Sequence, residues 1–306
     1  MSLALAEPAT APHAVLEAED TGVFRVLQLA DFHSDVDENM NARTRQDVRA
    51  MIDRFRPHLL AVTGDIWCGE EHPDAAPMWM RRDLDFLGSL GVPWAFAWGN
   101  HDGAADFDAA WRQIADTPHA IAPHGDGRGG FRIALKAADG LPLWDMFFLN
   151  SGPRWNLPDD LAWFDAEIRR LDATRERPLP LLVFFHIPLK CYQTAVDERR
   201  AAGLAYEEVL FWGDEAGTGA DVFKRAAETR PVACFCAHSH RNDFHFEEDG
   251  VLFAYGRATG YGGYGNEDVP KGGTLVEIDF TKGRLTHRAV FADGSCWIPE
   301  AGCLIL

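Results

Sequence analysis

No window of about 18 consecutive apolar residues occurs in the chain, so no segment reads as a membrane span. Basic charge is also scarce: 29 Lys and Arg stand against 47 Asp and Glu in 306 residues, a formal net charge of −18. A surface of that sign repels the phosphate backbone, which argues against a general nucleic-acid binder and against an anionic membrane surface as partner. The N-terminus has no basic run, and its apolar stretch is too short for a secretory signal, so a cytoplasmic protein is expected. The six cysteines, Cys68, Cys191, Cys234, Cys236, Cys296 and Cys303, form no C-x-x-C pair, which argues against a zinc knuckle. They read as reduced thiols, and a Cys296–Cys303 disulfide would require export. Phosphate chemistry carried out through bound cations is not excluded by the charge.

What is present is enough apolar material for a core, 47% of residues. A chain of about 300 residues buries roughly 75% of the surface it exposes when unfolded. Residues 1–22 are rich in Ala, Pro and Glu and read as a flexible leader. Residues 23–306 read as a single domain, because apolar strands alternate with amphipathic helices without a linker or repeat. Strands are expected at 23–30, 58–63, 93–98, 143–149, 181–185 and 232–237, and helices near 43–55, 78–90, 106–115, from 158, and 219–229. Cys234 and Cys236, flanking Phe235, should share one strand face. From 244 on, short strands and glycine turns are expected. This is an α/β domain of two packed sheets.

The polar residues of interest each follow an apolar strand. Asp31 and His33 follow the first, Asp65 the second, and Asn100, His101 and Asp102 the third; His186 follows the fifth and His238 and His240 the sixth. Taken singly, each has a bland account as a cap, a turn residue or a buried histidine. Together they populate one sheet edge, where α/β proteins bind ligands. The spacings 65 − 31 = 34 and 100 − 65 = 35 fit successive βαβ units. Two carboxylates, imidazoles and an amide oxygen suit borderline divalent metals. Seven donors suffice for two ions if Asp65, central in the set, bridges them. A two-metal site performs in-line displacement at phosphorus.

The ordered set D-x-H, G-D, G-N-H-D, H and H-x-H, spanning residues 31–240, resembles the calcineurin-like metallophosphoesterase superfamily. The stretches Phe185-His186-Ile187-Pro188-Leu189 and Tyr255–Gly265 are similar to its Dcr2-like, or purple-acid-phosphatase-28-like, subgroup. The resemblance implies a four-layer αββα sandwich of two mixed β-sheets flanked by helices. It implies one metal on Asp31, His33, Asp65 and His240 and another on Asp65, Asn100, His186 and His238, with Mn, Fe or Zn the expected ions. It further implies attack on a phosphomonoester by a metal-bridging hydroxide. His101 acts as general acid or stabiliser without binding metal, and Asp102 orients it. The expected partner is a small phosphate ester.

Three positions depart from the family pattern. Ala237 stands where glycine usually precedes the first histidine of the last motif. Cys68 occupies the place of the tyrosine of purple phosphatases, so no purple ferric colour is expected. His33 stands where true purple enzymes differ, which favours generic metal usage over an obligate ferric site. Arg257 is a candidate contact to a phosphate oxygen, with a structural ion pair as its competing account. Tyr261 is a candidate for the substrate mouth, with loop packing as its alternative. Gly260-x-Gly262-x-x-Gly265 matches a dinucleotide fingerprint by letter only, since no helix start or βαβ unit follows. A phosphodiesterase with the same site and a catalytically inactive scaffold are the alternative functions.

Overall fold

The computed structural model describes residues 13–18, 22–123, 129–151, 157–201, 219–266, 269–297 and 303–305. In chain order the first half holds β1 (His13–Glu17), β2 (Val23–Leu29), α1 (Glu38–Phe55), β3 (Leu59–Thr63), α2 (Ala76–Gly88), β4 (Trp94–Ala97), α3 (Phe107–Ala115), β5 (Phe131–Lys136) and β6 (Pro142–Phe148). The second half holds α4 (Leu157–Thr174), β7 (Leu181–Phe184), α5 (Lys190–Ala201), α6 (Asp221–Ala227), β8 (Val232–Cys236), β9 (His245–Glu248), β10 (Val251–Tyr255), β11 (Gly273–Asp279), β12 (Arg284–Val290), β13 (Cys296–Trp297) and β14 (Cys303–Ile305). One sheet runs β13-β12-β11-β2-β3-β4, with β14 also on β12; the other runs β1-β5-β6-β7-β8-β10-β9. Both are mixed: β2, β3 and β4 pair in parallel, as do β6, β7, β8 and β10, while β11 and β9 are antiparallel to their neighbours.

The two-residue period of a strand sorts the core into layers. Leu182, Phe184, Ala233 and Phe235 join the core between the sheets, which continues to Val48 and Met51 of α1, Trp79 and Leu87 of α2 and Trp111 of α3. Their neighbours Leu181, Val183, Val232, Cys234 and Cys236 point the other way, against Phe164 of α4, Tyr192 of α5 and Phe223 of α6. Cys234 and Cys236 thus share a face, and the result is the four-layer αββα sandwich. Among the described residues no helix is long and apolar enough to cross a membrane.

Two expectations change, and one alternative is removed. Inside the stretch read as a flexible leader, His13–Glu17 forms β1, in parallel register with β5. Ala14 and Leu16 pack on the core while Val15 is exposed, an alternation too short to stand out in an Ala/Pro-rich context. The helix α5 occupies a stretch where no helix was expected; Tyr192, Ala195 and Val196 are its buried residues, a stripe too thin to read against its polar composition. Finally, Cys296 pairs with Val290 and Cys303 with Thr286 on the same strand, β12. Four residues along a strand is about 13 Å, beyond the reach of a disulfide, and Cys296 is a free thiol.

Candidate metal centre

The ends of β2 and β3 of one sheet and β7 and β8 of the other bring together six of the expected donors, Asp31, His33, Asp65, His186, His238 and His240, and the end of β4 carries Asn100. The backbone there is strained. Asp31 (φ 57°), His33 (φ 49°), Asp65 (φ 54°) and His238 (φ 90°) all adopt left-handed conformations that residues with a Cβ disfavour. Such strain costs on the order of 1–3 kcal/mol per residue and persists only where surroundings enforce it. Here they do: Asp31 N donates to Gly64 O (3.0 Å), His33 N to Asp65 O (3.0 Å), and Ala237 N to His186 O (2.9 Å). Ala237 keeps a negative φ, so the methyl that replaces the family's glycine carries no backbone penalty. Gly99 has a steric duty: a Cβ on it would lie 2.2 Å from Asp65 Oδ1 and 2.4 Å from Asp65 N.

The donors fall into overlapping groups whose ligand atoms lie within 4.8 Å of one another: Asp31, His33 and His240; Asp65, His186 and His238; and His33, Asp65 and His101. Asp65 Oδ2 stands 2.9 Å from His186 Nε2 and 3.6 Å from His33 Nε2. Asp31 Oδ1 stands 3.5 Å from His240 Nε2 and 4.0 Å from His186 Nε2. His33 Nε2 and His240 Nε2 approach to 3.0 Å, and His186 Nε2 and His238 Nδ1 to 3.2 Å. Outer contacts aim the rings, as metal sites require. His186 Nδ1 donates to Thr63 O (2.8 Å), leaving Nε2 inward. His240 stacks on Tyr264 with centroids 4.1 Å apart and 13° between planes. His33 Nδ1 meets Cys68 Sγ at 3.6 Å.

This set fits two cations. Among the described residues, Asp31 Oδ1 and Asn100 Oδ1 are buried acceptors with no hydrogen-bond partner, which is costly unless a ligand satisfies them. Burial holds His33 down at about 3 and His238 at about 4, so both imidazoles are neutral and offer lone pairs. Burial also opposes the charge on Asp31 and Asp65. The surrounding imidazoles outweigh it, chiefly His240 for Asp31 and His186 for Asp65, and both carboxylates stay ionised. His186 moves the other way, up to about 9, because Asp65 overcomes its desolvation. Burial, Glu71 and Asp35 push the Cys68 thiol well above its usual range, so it is a neutral neighbour of His33.

His101 sits beside the cluster with its backbone N–H donating to Asp65 Oδ1 (2.8 Å). Its expected orienting partner is not the one observed. Asp102 is fully buried and accepts from the N–H groups of Asp65 (2.7 Å), Ile66 (2.7 Å), Gly99 (2.8 Å) and Trp67 (3.3 Å). It ties the β3 and β4 loops together instead of touching the His101 ring. The carboxylate nearest His101 Nδ1 is Glu71 Oε1, 3.0 Å away, a close approach outside hydrogen-bond geometry. Glu71 was invisible to motif reading; the available signal was an acid in the same loop as Asp65.

The cluster opens into a cleft of about 350 Å³ lined by Asp35, Cys68, Glu71, His72, Tyr264 and five of the histidine and aspartate residues already named. Neither proposed substrate contact lines it. Arg257 is buried in an ion pair, its Nε donating to Asp243 Oδ2 (3.1 Å). Tyr261 ties its loop to α1: its hydroxyl donates to Asp47 Oδ2 (2.7 Å), its N–H to Thr44 Oγ1 (3.0 Å), and Arg43 lies 3.9 Å over its ring. The glycine-rich loop packs against the donors themselves: a Cβ on Gly263 would lie 2.2 Å from His240 Cε1. Tyr264, from this loop, is the tyrosine at the cleft.

The profile described as calcineurin-like phosphoesterase matches residues 24–242. The Arabidopsis thaliana protein named probable inactive purple acid phosphatase 28 is 28% identical, over 91% of this chain and 81% of its own length. Phosphatase DCR2 of Saccharomyces cerevisiae is 24% identical over 86% of this chain and 52% of its own. Among solved structures, a dimetal phosphatase from Danio rerio shares the fold, with a TM-score of 0.61 at 13% identity over 91% of this chain and 99% of that one. The purple acid phosphatase PPD1 of yellow lupin does so with a TM-score of 0.56 at 11% identity, over 90% of this chain and 53% of that one. With the profile covering most of its length, the chain belongs to the calcineurin-like phosphoesterase family.

Proposed function

We propose that the chain is a dinuclear metal-dependent phosphomonoesterase. The observation that carries this is the convergence of six donors, Asp31, His33, Asp65, His186, His238 and His240, beside one cleft, with Asp31 Oδ1 and, on the following β4 loop, Asn100 Oδ1 buried and without a hydrogen-bond partner among the described residues. Asp31, His33, Asp65 and His240 hold one ion, and Asp65, Asn100, His186 and His238 the other. When bound, Mn, Fe or Zn ions neutralise the phosphoryl charge and activate water for attack at phosphorus. The protein's own residues do the rest. His101, beside the cluster and lining the cleft, donates a proton to the departing ester oxygen. Glu71 lies on the Nδ1 side of the ring and helps to orient it. Asp102 keeps the loops bearing Asp65 and Asn100 at fixed separation.

The Arabidopsis relative is named probably inactive; here the complete donor set together with His101 supports activity. The test pairs metal content with turnover on an aryl phosphate and its bis-aryl diester. His101→Ala should keep two ions per chain and lose turnover by about 10²–10⁴-fold, the usual worth of a general acid. Loss of metal in that variant would refute the role given to His101, and faster cleavage of the diester would refute the monoester preference.

A further inference from the structure

The donors of the two ions are supported from different directions. His186 is held by Thr63 O at its Nδ1 (2.8 Å) and by Ser151 Oγ at its backbone N–H (3.2 Å). The glycine-rich loop after β10 is laid instead against Asp31, His33 and His240. Gly260 N donates to Asp31 O (3.1 Å). A Cβ would lie 2.2 Å from Phe32 Cα if added to Gly260, and 2.0 Å from His33 O if added to Gly262. On Gly263 it would lie 2.6 Å from His240 Nδ1. Backbone without side chains is what lets the loop come this close. The next residue, Tyr264, grips His240 at three places. Its ring stacks on the imidazole, its hydroxyl accepts from His240 N (3.2 Å), and its own N and O each lie 3.2 Å from His240 Nδ1.

The two contacts at Nδ1 require opposite tautomers. If Nδ1 accepts from Tyr264 N–H, the ring proton sits on Nε2, which then has no lone pair for a metal. If Nδ1 carries the proton, it donates to Tyr264 O and leaves Nε2 free to ligate. The same carbonyl oxygen accepts from the buried Lys271 ammonium (2.8 Å). Its two lone pairs can serve both donors. Asn266 Nδ2 closes the loop by donating to Tyr261 O (2.8 Å). Resting on the proposed dinuclear phosphoesterase, we infer that Tyr264, anchored by Lys271, is a positioning residue for His240. It holds the ring in the Nδ1–H form and so sets the affinity of the ion on Asp31, His33, Asp65 and His240, while the other ion depends on separate supports. Loss of such an outer contact typically costs about 10–100-fold in metal affinity.

The test reads metal binding rather than turnover. Calorimetric titration of the metal-free chain with Mn(II) should show two binding steps, and His240→Ala identifies the step that belongs to its ion. Lys271→Met, which keeps the length of the side chain but removes the ammonium, and Tyr264→Ala should each weaken that step about 10–100-fold and leave the other within about threefold. Tyr264→Phe retains the ring and the carbonyl and should weaken it less. Leu171→Ala, in the core beyond the other sheet, should lower Tm without selective loss of either step. One measurement needs no variant: long-range proton–nitrogen NMR of the Zn-loaded chain should place the His240 proton on Nδ1. A proton on Nε2, equal weakening of both steps, no weakening in either Lys271→Met or Tyr264→Ala, or the same selective loss in Leu171→Ala overturns the inference and leaves the phosphoesterase reading standing. Failure of the unmodified chain to bind two ions removes the dinuclear reading and the inference with it.

Discussion

Replacing Gly99 by Ala should separate folding from metal binding. The added Cβ would lie 2.2 Å from Asp65 Oδ1 and 2.4 Å from Asp65 N. Ordinary contact begins near 3.4 Å, so the shared carboxylate must retreat by about 1 Å. Gly99 has no positive φ, so alanine's backbone is not itself strained. Overpacking of this kind costs typically about 1–3 kcal/mol, which lowers Tm by roughly 2–12 °C in a domain of this size. The consequence for metal is larger, because ligand distances tolerate only about ±0.2 Å. The variant should fold, with near-native circular dichroism, yet hold fewer than two ions per chain after reconstitution and dialysis. Gly129→Ala is the control, since its Cβ would meet nothing closer than Asp160 Oδ1 at 3.8 Å. A Gly99→Ala protein with two ions and full turnover would refute the claim that this glycine protects the Asp65 position.

Two further outcomes are expected. Glu71→Gln should retain both metals while lowering kcat more than it changes KM, and should shift the pH–rate profile; an unchanged profile would show that the 3.0 Å approach to His101 has no functional weight. Asp83, buried in α2 with Ser34 Oγ donating to it, is pushed up to about 7 by burial, against the opposing pull of Arg82. The folded state therefore binds a proton that the unfolded state releases near pH 4, and stability falls as pH rises from about 4 through 7. The ceiling of this effect is about 4 kcal/mol. Asp83→Asn should flatten the stability curve between pH 5 and 8 in denaturant titrations, and a slope equal to that of the unmodified chain would contradict the assignment.

The candidate donors were legible because each follows an apolar strand, and the structure gathers Asp31, His33, Asp65, His186, His238 and His240 at strand ends of both sheets. The central strands and major helices were legible for the same reason: buried runs such as Leu59–Thr63 have no polar competitor pattern. Glu71 and Tyr264 lie in loops, where no periodicity reports direction, and their roles follow from how the loops are laced together. Asp102 shows the converse. Adjacency to His101 suggested an orienting contact, but its carboxylate turns under the loops to satisfy four backbone N–H groups. Arg257 and Tyr261 were drawn away by Asp243 and Asp47, partners whose proximity only the fold creates. The edge strand β1 depends on register with β5, more than a hundred residues later, which local composition does not encode.

The central claim is that this donor cluster, loaded with two ions, hydrolyses a phosphate ester. Phosphate release from an aryl phosphate should therefore be measured alongside elemental analysis on the same samples, for the unmodified chain and for Asp65→Asn. The account predicts turnover that rises with metal to a plateau at two ions per chain, and neither a full metal complement nor turnover in Asp65→Asn. A chain that carries two ions and releases no phosphate from any ester tested, or an Asp65→Asn variant with full activity, would contradict it.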